Sequence, residues 1–101
     1  MKLKNLKTME EYTLKPNTKL GRENSDIICN GIYVSRNHAI INVWFNAFVI
    51  EDLGSTNGTY VNNIPVLTGK AIALKEGDII TLGGLLNNGC VQEHTDIFIV
   101  Y

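Results

Sequence analysis

The chain has 101 residues, a length that suits one domain, and 45% of them are hydrophobic and 19% charged, as in ordinary globular proteins. Its net charge of −1 at pH 7 gives no global basic signal for nucleic acid, and no apolar run approaches the about 20 residues of a membrane span. The N-terminus also lacks the apolar core of a signal peptide, so we expect an intracellular protein without a nucleic-acid or membrane partner.

Short apolar runs separated by turn residues follow one another along the chain. No segment keeps a 3.6-residue hydrophobic period, and turn signals recur roughly every ten residues, which predicts an all-β sandwich. Pro65 favours an edge position for its strand, because proline cannot donate to a sheet ladder. The strand candidates are residues 12–14, 18–21, 26–29, 38–44, 48–52, 59–61, 64–66, 79–82 and 96–101.

The stretch from Asp52 to Asn62 reads DLGSTNGTYVN and holds the most distinctive loop. Gly and Asn tolerate left-handed backbone angles, and Ser and Thr hydroxyls cap local turns, so a tight polar loop is expected between two strands. Such a loop displays amides and hydroxyls in fixed directions, which suits an anion or a peptide backbone. An ordinary hairpin turn is the alternative.

Two further polar loops hold Gly21-Arg22 and residues 35–38. An even number of strand crossings returns a chain to the same end of a sandwich, so we expect the three loops to lie together. The cysteines and histidines do not add a metal site, because Cys29 and Cys90 form no Cys-x-x-Cys pair and the histidines have no zinc-ligand spacing to them. Reduced thiols, no metal and no cofactor are therefore expected, with one disulfide as the alternative.

Four motifs in this order resemble the forkhead-associated (FHA) domain family. They are Gly21-Arg22, Ser35-x-x-His38, the run from Asp52 to Asn62, and Leu74-x-x-Gly77-Asp78-x-Ile80-x-Leu82-Gly83. The resemblance spans about residues 3–101 and implies a β-sandwich of about eleven strands in two twisted sheets, whose clustered loops at one end bind phosphothreonine in an extended peptide. It also implies a single domain over residues 1–101, expected to be the N-terminal module of a longer signalling adaptor, and fits a nuclear protein of the DNA-damage response.

Carried onto this sequence, the family's ligand contacts fall on Arg22, Ser35, Arg36, Thr56 and Asn57. The Arg22 guanidinium offers a fork of donors that matches a phosphate, while an Asn side chain both donates and accepts, as a peptide main chain requires. The Ser35 hydroxyl, the Arg36 amide and a Thr56 donor would complete the phosphate contacts. The Arg36 side chain either adds charge near the phosphate or is solvated.

Structural support of the site is expected from Gly21, His38, Gly54, Ser55, Gly58 and Asn62. His38 is expected to bridge loops by hydrogen bonds. A nucleophile and base formed by Ser35 and His38 is disfavoured, because no orienting acid, oxyanion loop or nucleophile elbow accompanies them, and we expect no enzymatic activity. Asn62 either ties loops together or is a turn residue.

Peptide selectivity is assigned to Tyr33 and Val34, which precede Ser35 and include no charged side chain. They predict an apolar or aromatic residue, rather than Asp, three positions after the phosphothreonine. The alternative function is a constitutive protein–protein or homodimerisation module in which phosphopeptide binding is secondary or absent. Trp44, Phe45 and Phe48 would then form the dimer face, although Phe48 also suits the core.

Overall fold

The computed structural model describes residues 1–85 and 94–101, and across these ranges the chain forms eleven strands and no helix. The described residues thus contain no helix that could cross a membrane. The strands are β1 Lys2–Asn5, β2 Glu11–Thr13, β3 Thr18–Gly21, β4 Ile27–Ile28, β5 Ala39–Trp44, β6 Ala47–Asp52, β7 Thr59–Val61, β8 Ile64–Pro65, β9 Ala71–Ala73, β10 Ile79–Leu82 and β11 Asp96–Val100. The predicted all-β class is confirmed.

Two sheets form the sandwich, a six-stranded sheet in the order β2-β1-β11-β10-β7-β8 and a five-stranded sheet in the order β4-β3-β5-β6-β9. The strand that contains Pro65 lies at a sheet edge, as predicted. Each sheet turns one set of alternating apolar residues inward. Among the largest fully buried side chains are Leu3, Leu20, Ile27, Ile41, Ile50, Ile80, Leu82, Ile97 and Phe98. Each such side chain contributes about 1.5–3 kcal/mol of transfer free energy relative to water.

Strand register places the candidate site. Leu20 pairs with Ala39, and Ala39 pairs with Asp52, so the end of β3, the start of β5 and the end of β6 lie at one end of the five-stranded sheet. The loops that follow or precede these strands therefore meet there. The count of strand crossings holds for the second and third loops, which β5 and β6 separate, but not for the first and second, which only β4 separates. These two meet because β4 is parallel to β3, so that residues 22–26 return the chain alongside β3 before β4 begins. We call this end of the sandwich the loop end.

The structure differs from the sequence-based prediction mainly at two strands. The first run, β1, showed only a weak periodicity around Leu3, and β9 was not predicted because alanine has a low β propensity. β9 forms because Ile72 pairs opposite Ile50 of β6 and joins an existing ladder. The predicted turn at residues 87–89, and Cys90 with the alternative disulfide, lie outside the described residues. Cys29 is a free thiol, and burial raises its pKa to about 12.

Phe45 and Asn46 form the two-residue turn between β5 and β6, and both have a positive φ, 49° and 63°. This turn type favours Asn and Gly, whereas a bulky side chain at such an angle is strained. The Phe45 side chain is 85% exposed, so it gains little burial in return.

Phe45→Asn should therefore raise the free energy of unfolding by about 0.5–1 kcal/mol. Urea unfolding at low protein concentration measures the change. Asn46→Ala, at the second turn position, is the matched control and should lower stability. A lower free energy of unfolding for Phe45→Asn would contradict the inference that the backbone at Phe45 is strained.

Candidate functional site

Backbone hydrogen bonds join the first two loops at the loop end. The Arg22 N–H donates to the Ser35 carbonyl at 3.1 Å, and the Glu23 N–H donates to the Arg36 carbonyl at 3.3 Å. Gly21 permits this approach, because a Cβ added there would lie 2.0 Å from the Arg36 carbonyl oxygen. The Gly21-Arg22 motif thus has a steric basis: only glycine lets the chain pass close enough to set Arg22 beside Ser35.

His38 joins the second loop to the third. Its ring is fully buried, its Nδ1 accepts the Ser35 N–H at 2.9 Å, and its Nε2 lies 2.8 Å from the Gly58 carbonyl. The first contact requires an unprotonated Nδ1, and the second then requires a proton on Nε2. His38 is therefore a neutral bridge with both ring nitrogens occupied, which leaves neither free to act as a base for the Ser35 hydroxyl.

Burial lowers the pKa of His38 below its ordinary 6.5, against the opposing influence of the Gly58 carbonyl and the Asp52 carboxylate. Because the unfolded chain binds a proton near pH 6.5 that the folded protein does not, this contribution to stability is complete above about pH 6.5. The free energy of unfolding should fall below that pH, by at most about 1.4 kcal/mol per pH unit.

Urea unfolding at about pH 7.5, 6 and 5 checks this prediction. A constant free energy of unfolding over this range would contradict it. The Asp52 carboxyl affects stability only at lower pH. Burial raises its pKa, but hydrogen bonds from Ser55 and Thr59 outweigh burial and hold the pKa below the ordinary 3.8.

Asp52 braces the third loop, a role that the sequence analysis did not assign. Its carboxylate accepts the N–H groups of Gly54 and Ser55 at 3.0 and 2.9 Å, and the hydroxyls of Ser55 and Thr59 at 2.5 and 2.7 Å. The available signal was an Asp directly before a Gly-containing turn, since Asp side chains readily bond the backbone two and three residues on.

The remaining support residues shape the same loop. Gly54 and Gly58 have positive φ angles of 78° and 91°, which permit the turns on either side of Thr56. The Ser55 hydroxyl accepts the Gly58 N–H at 3.0 Å and thereby braces the loop from within. Ser55 is thus engaged by its own loop.

Ser35, Thr56 and Arg22 form the outward-facing donor group. The Thr56 N–H donates to the Ser35 Oγ at 3.2 Å, which leaves the Ser35 hydroxyl hydrogen and the Thr56 hydroxyl available to a ligand. Within the described residues the exposed Arg22 guanidinium makes no ion pair. The Arg36 side chain instead lies near Glu23, 3.8 Å apart in an exposed pair that solvent screens.

Asn57 contacts the second loop. Its Nδ2 donates to the Tyr33 main-chain carbonyl at 3.0 Å, so its Oδ1 remains able to accept a hydrogen bond from a ligand. Tyr33 is 47% exposed, and its ring packs at 4.9 Å against the ring of His94. This Tyr33–His94 surface borders the donor group, and His94 was not among the predicted site residues because it precedes a distant strand.

Two predicted site residues are not brought to the ligand surface. Val34 is 1% exposed and belongs to the hydrophobic core, so the assignment of peptide selectivity to its side chain is corrected. Val34 was expected to be exposed because it lies in a loop, but its side chain packs into the core beneath that loop. Asn62 lies at the far end of β7, where its side chain bonds Asp78 and the Ile79 N–H. Its positive φ of 51° makes it a turn residue. Its side chain also ties two segments together, but these are the turns after β7 and before β10, not the three loops of the site.

The arrangement suits a small anion attached to an extended chain. Its outward groups are donors, and within the described residues no cluster of three or more His, Cys, Asp and Glu side chains could hold a metal ion. Two neighbouring hydroxyls and an arginine whose main chain is bonded to Ser35 suit the several acceptor oxygens of a phosphate, while Asn57 can engage main chain beside it.

Comparisons with known proteins agree with this geometry. A family model described as FHA domain matches residues 18–83. Protein FraH of Nostoc sp. is 45% identical over 76 residues, covering 68% of this chain and 24% of FraH. The glycogen accumulation regulator GarA of Mycolicibacterium smegmatis is 40% identical over 70 residues, covering 68% of this chain and 42% of GarA. The chain thus spans less than half the length of these two relatives.

A solved structure from a study of phosphothreonine-dependent FHA domain interactions matches with a TM-score of 0.78 and 29% identity, covering 99% of this chain and 94% of that one. The two-sheet fold is therefore shared over nearly the whole length. Because the family model also covers most of the sequence, this chain belongs to the FHA domain family.

Proposed function

We propose that this FHA domain binds a phosphothreonine-containing segment of a partner protein at its loop end. The observation that carries the proposal is the donor group of Arg22, Ser35 and Thr56, whose guanidinium has no ion-pair partner among the described residues. An arginine fork and two hydroxyls suit a phosphate that carries nearly two negative charges. The preference for threonine over serine rests on the family.

Each contact has a distinct part in the proposal. Arg22 supplies charge, Ser35 and Thr56 supply hydroxyl donors, and the Arg36 N–H supplies a further donor, while the Arg36 side chain stays in solvent. Asn57 accepts a peptide main-chain N–H through Oδ1. We propose binding without catalysis, since the Ser35 N–H and the Gly58 carbonyl engage both ring nitrogens of His38.

Fluorescence anisotropy with three matched peptides tests the proposal. The peptides carry phosphothreonine, phosphoserine or unmodified threonine at the same position. Binding should be strongest to phosphothreonine and should rise at low salt, because a charged contact at the surface is screened by ions. Equal affinity for the unmodified peptide would defeat the proposal.

Selectivity three residues after the phosphothreonine is proposed to come from Tyr33, with His94 beside it. Both rings offer an apolar and aromatic surface, so an oriented phosphopeptide library should select apolar or aromatic residues there over Asp. Tyr33→Arg should shift the selection toward Asp or Glu while keeping the dependence on phosphate. Strong selection of Asp by the unaltered protein would contradict this assignment.

The biological role is proposed to be regulatory. GarA is named as a regulator of glycogen accumulation, and we propose that this domain also serves regulation, by recruiting a phosphorylated partner inside the cell. A nuclear DNA-damage adaptor, which fitted the sequence, has no counterpart in GarA or FraH, both of which are bacterial proteins. The identity of the partner would follow from the peptide selection described above.

A further inference from the structure

The outward side of the five-stranded sheet is largely apolar over β5, β6 and β9, whereas the neighbouring β3 turns the charged Lys19 outward. Ile41 and Ile50 are fully buried in the core, so their alternating neighbours on β5 and β6 point outward. An antiparallel sheet normally turns polar side chains toward solvent. Here the outward residues of β5, β6 and β9 are Ile40, Asn42, Trp44, Ala47, Val49, Glu51, Ala71 and Ala73. We call this set the outer face.

Two aromatic side chains project at the end of the outer face farthest from the phosphate-binding loops. Trp44 is 64% exposed, Phe45 is 85% exposed, and their rings lie 4.9 Å apart. Phe45 also keeps a strained backbone angle that Asn or Gly would adopt without cost. A large apolar residue held in strain and left in solvent indicates a function that the isolated fold does not explain.

A concave surface lies beside these aromatic rings. This surface encloses a hollow of about 450 Å³. The residues that line the hollow include Asn42, Trp44, Val49, Glu51, Lys70 and Ala71. The outer face thus presents a projecting aromatic pair, a hollow with an apolar floor, and one charge of each sign at its rim. Within the described residues neither Glu51 nor Lys70 belongs to an ion pair.

We propose that two copies of this chain associate symmetrically through their outer faces. A two-fold interface uses the same patch on both subunits, so the patch must be complementary to itself. The aromatic pair of each copy enters the hollow of the other, and Lys70 of each copy faces Glu51 of the other. A second copy is favoured as the occupant because projection, hollow and both charges all lie on one patch.

The proposal is independent of phosphopeptide binding, although it changes its consequences. β5 and β6 each have six residues, so the hairpin tip lies about 20 Å from the loop end. The aromatic contacts of the dimer therefore lie far from both phosphopeptide sites, and only the contact between Glu51 and Lys70 approaches the loop end, on the face of the sheet rather than in the loops. Two sites in one particle would bind a doubly phosphorylated partner, or two partners, with greater avidity than a monomer.

Sedimentation equilibrium from low to high micromolar concentration tests the dimer. The average mass should rise from the 11.2 kDa of one chain toward twice that value. Trp44 is the single tryptophan, so its emission should shift to shorter wavelength over the same concentrations without interference. A mass of one chain at every concentration would overturn the proposal.

Substitutions test the surface itself. Phe45→Asn and Trp44→Lys should each weaken dimerisation about tenfold or more, while phosphopeptide affinity per site measured on monomeric protein is unchanged. Phe45→Asn is the sharper variant, since it should stabilise the fold and cannot abolish the dimer by unfolding the chain. A dimer that both substitutions leave intact would show a different interface and overturn the proposal.

A charge exchange tests the symmetry. Glu51→Lys alone and Lys70→Glu alone should each weaken self-association, because like charges then meet across the interface. A mixture of the two variants should recover a heterodimer, since each copy now meets the opposite charge at both places. If the mixture is as weakly associated as either variant, the proposed facing of Lys70 and Glu51 is wrong.

Discussion

Arg22→Ala should weaken binding of a phosphothreonine peptide by about 30- to 1,000-fold, equivalent to about 2–4 kcal/mol. The guanidinium is the charged member of the donor group, and among the described residues no carboxylate forms an ion pair with it, so it is available to a phosphate. Its side chain is exposed, so the free energy of unfolding should change by less than about 0.5 kcal/mol. Fluorescence anisotropy and urea unfolding of the same sample separate the two effects.

Two control variants make this result specific. Arg22→Lys keeps the charge but loses the planar fork, and should bind with intermediate affinity. Arg36→Ala removes a nearby positive charge that lies in an exposed pair with Glu23, and should weaken binding only a few-fold. Equal losses for Arg22→Ala and Arg36→Ala would mean that general charge, rather than a directed contact, holds the phosphate.

His38→Ala should lower the free energy of unfolding by about 3–4 kcal/mol. The substitution leaves a cavity where a fully buried ring lies, and it removes the partners of the Ser35 N–H and the Gly58 carbonyl. Binding should fall as well, because the second and third loops are no longer joined. Chemical unfolding measures the loss of stability.

Asn57→Ala is the matched comparison, since Asn57 is an exposed side chain of the same loop end. It should weaken peptide binding and change stability by less than about 0.5 kcal/mol. The two variants thus distinguish a buried residue on which the fold depends from an exposed residue whose loss acts mainly on peptide binding. Wild-type stability in His38→Ala would contradict the bridging role drawn from its two hydrogen bonds.

Much of the fold was accessible from the sequence because β-branched runs and turn residues act locally. The strands of residues 18–21, 59–61 and 79–82 were predicted with the bounds observed. β9 escaped prediction because its residues are poor strand formers, and pairing with β6 creates the strand. This strand depends on a pairing partner far away in the sequence, so its own residues do not predict it.

The candidate site was accessible in part for the same reason. The motifs indicated which residue types lie in the three loops, but a residue's neighbours depend on distant strands. Val34 therefore looked like a loop residue when it fills the core, and the packing of His94 against Tyr33 could not be read from residues so far apart. The bracing by Asp52 was readable, since Asp bonding to nearby backbone is local chemistry.

The hydrogen bond from Asn57 to Tyr33 ends on a main-chain carbonyl, not on the tyrosine ring. Any amino acid at position 33 presents the same carbonyl, so the link between the second and third loops does not depend on which side chain is there. Evolution, or a protein engineer, can therefore exchange the side chain that chooses among phosphorylated sequences without loosening the residue that holds the peptide. Sequence preference and peptide binding are therefore separable in this domain, and variants with different target sequences could be made by substitution at position 33 alone.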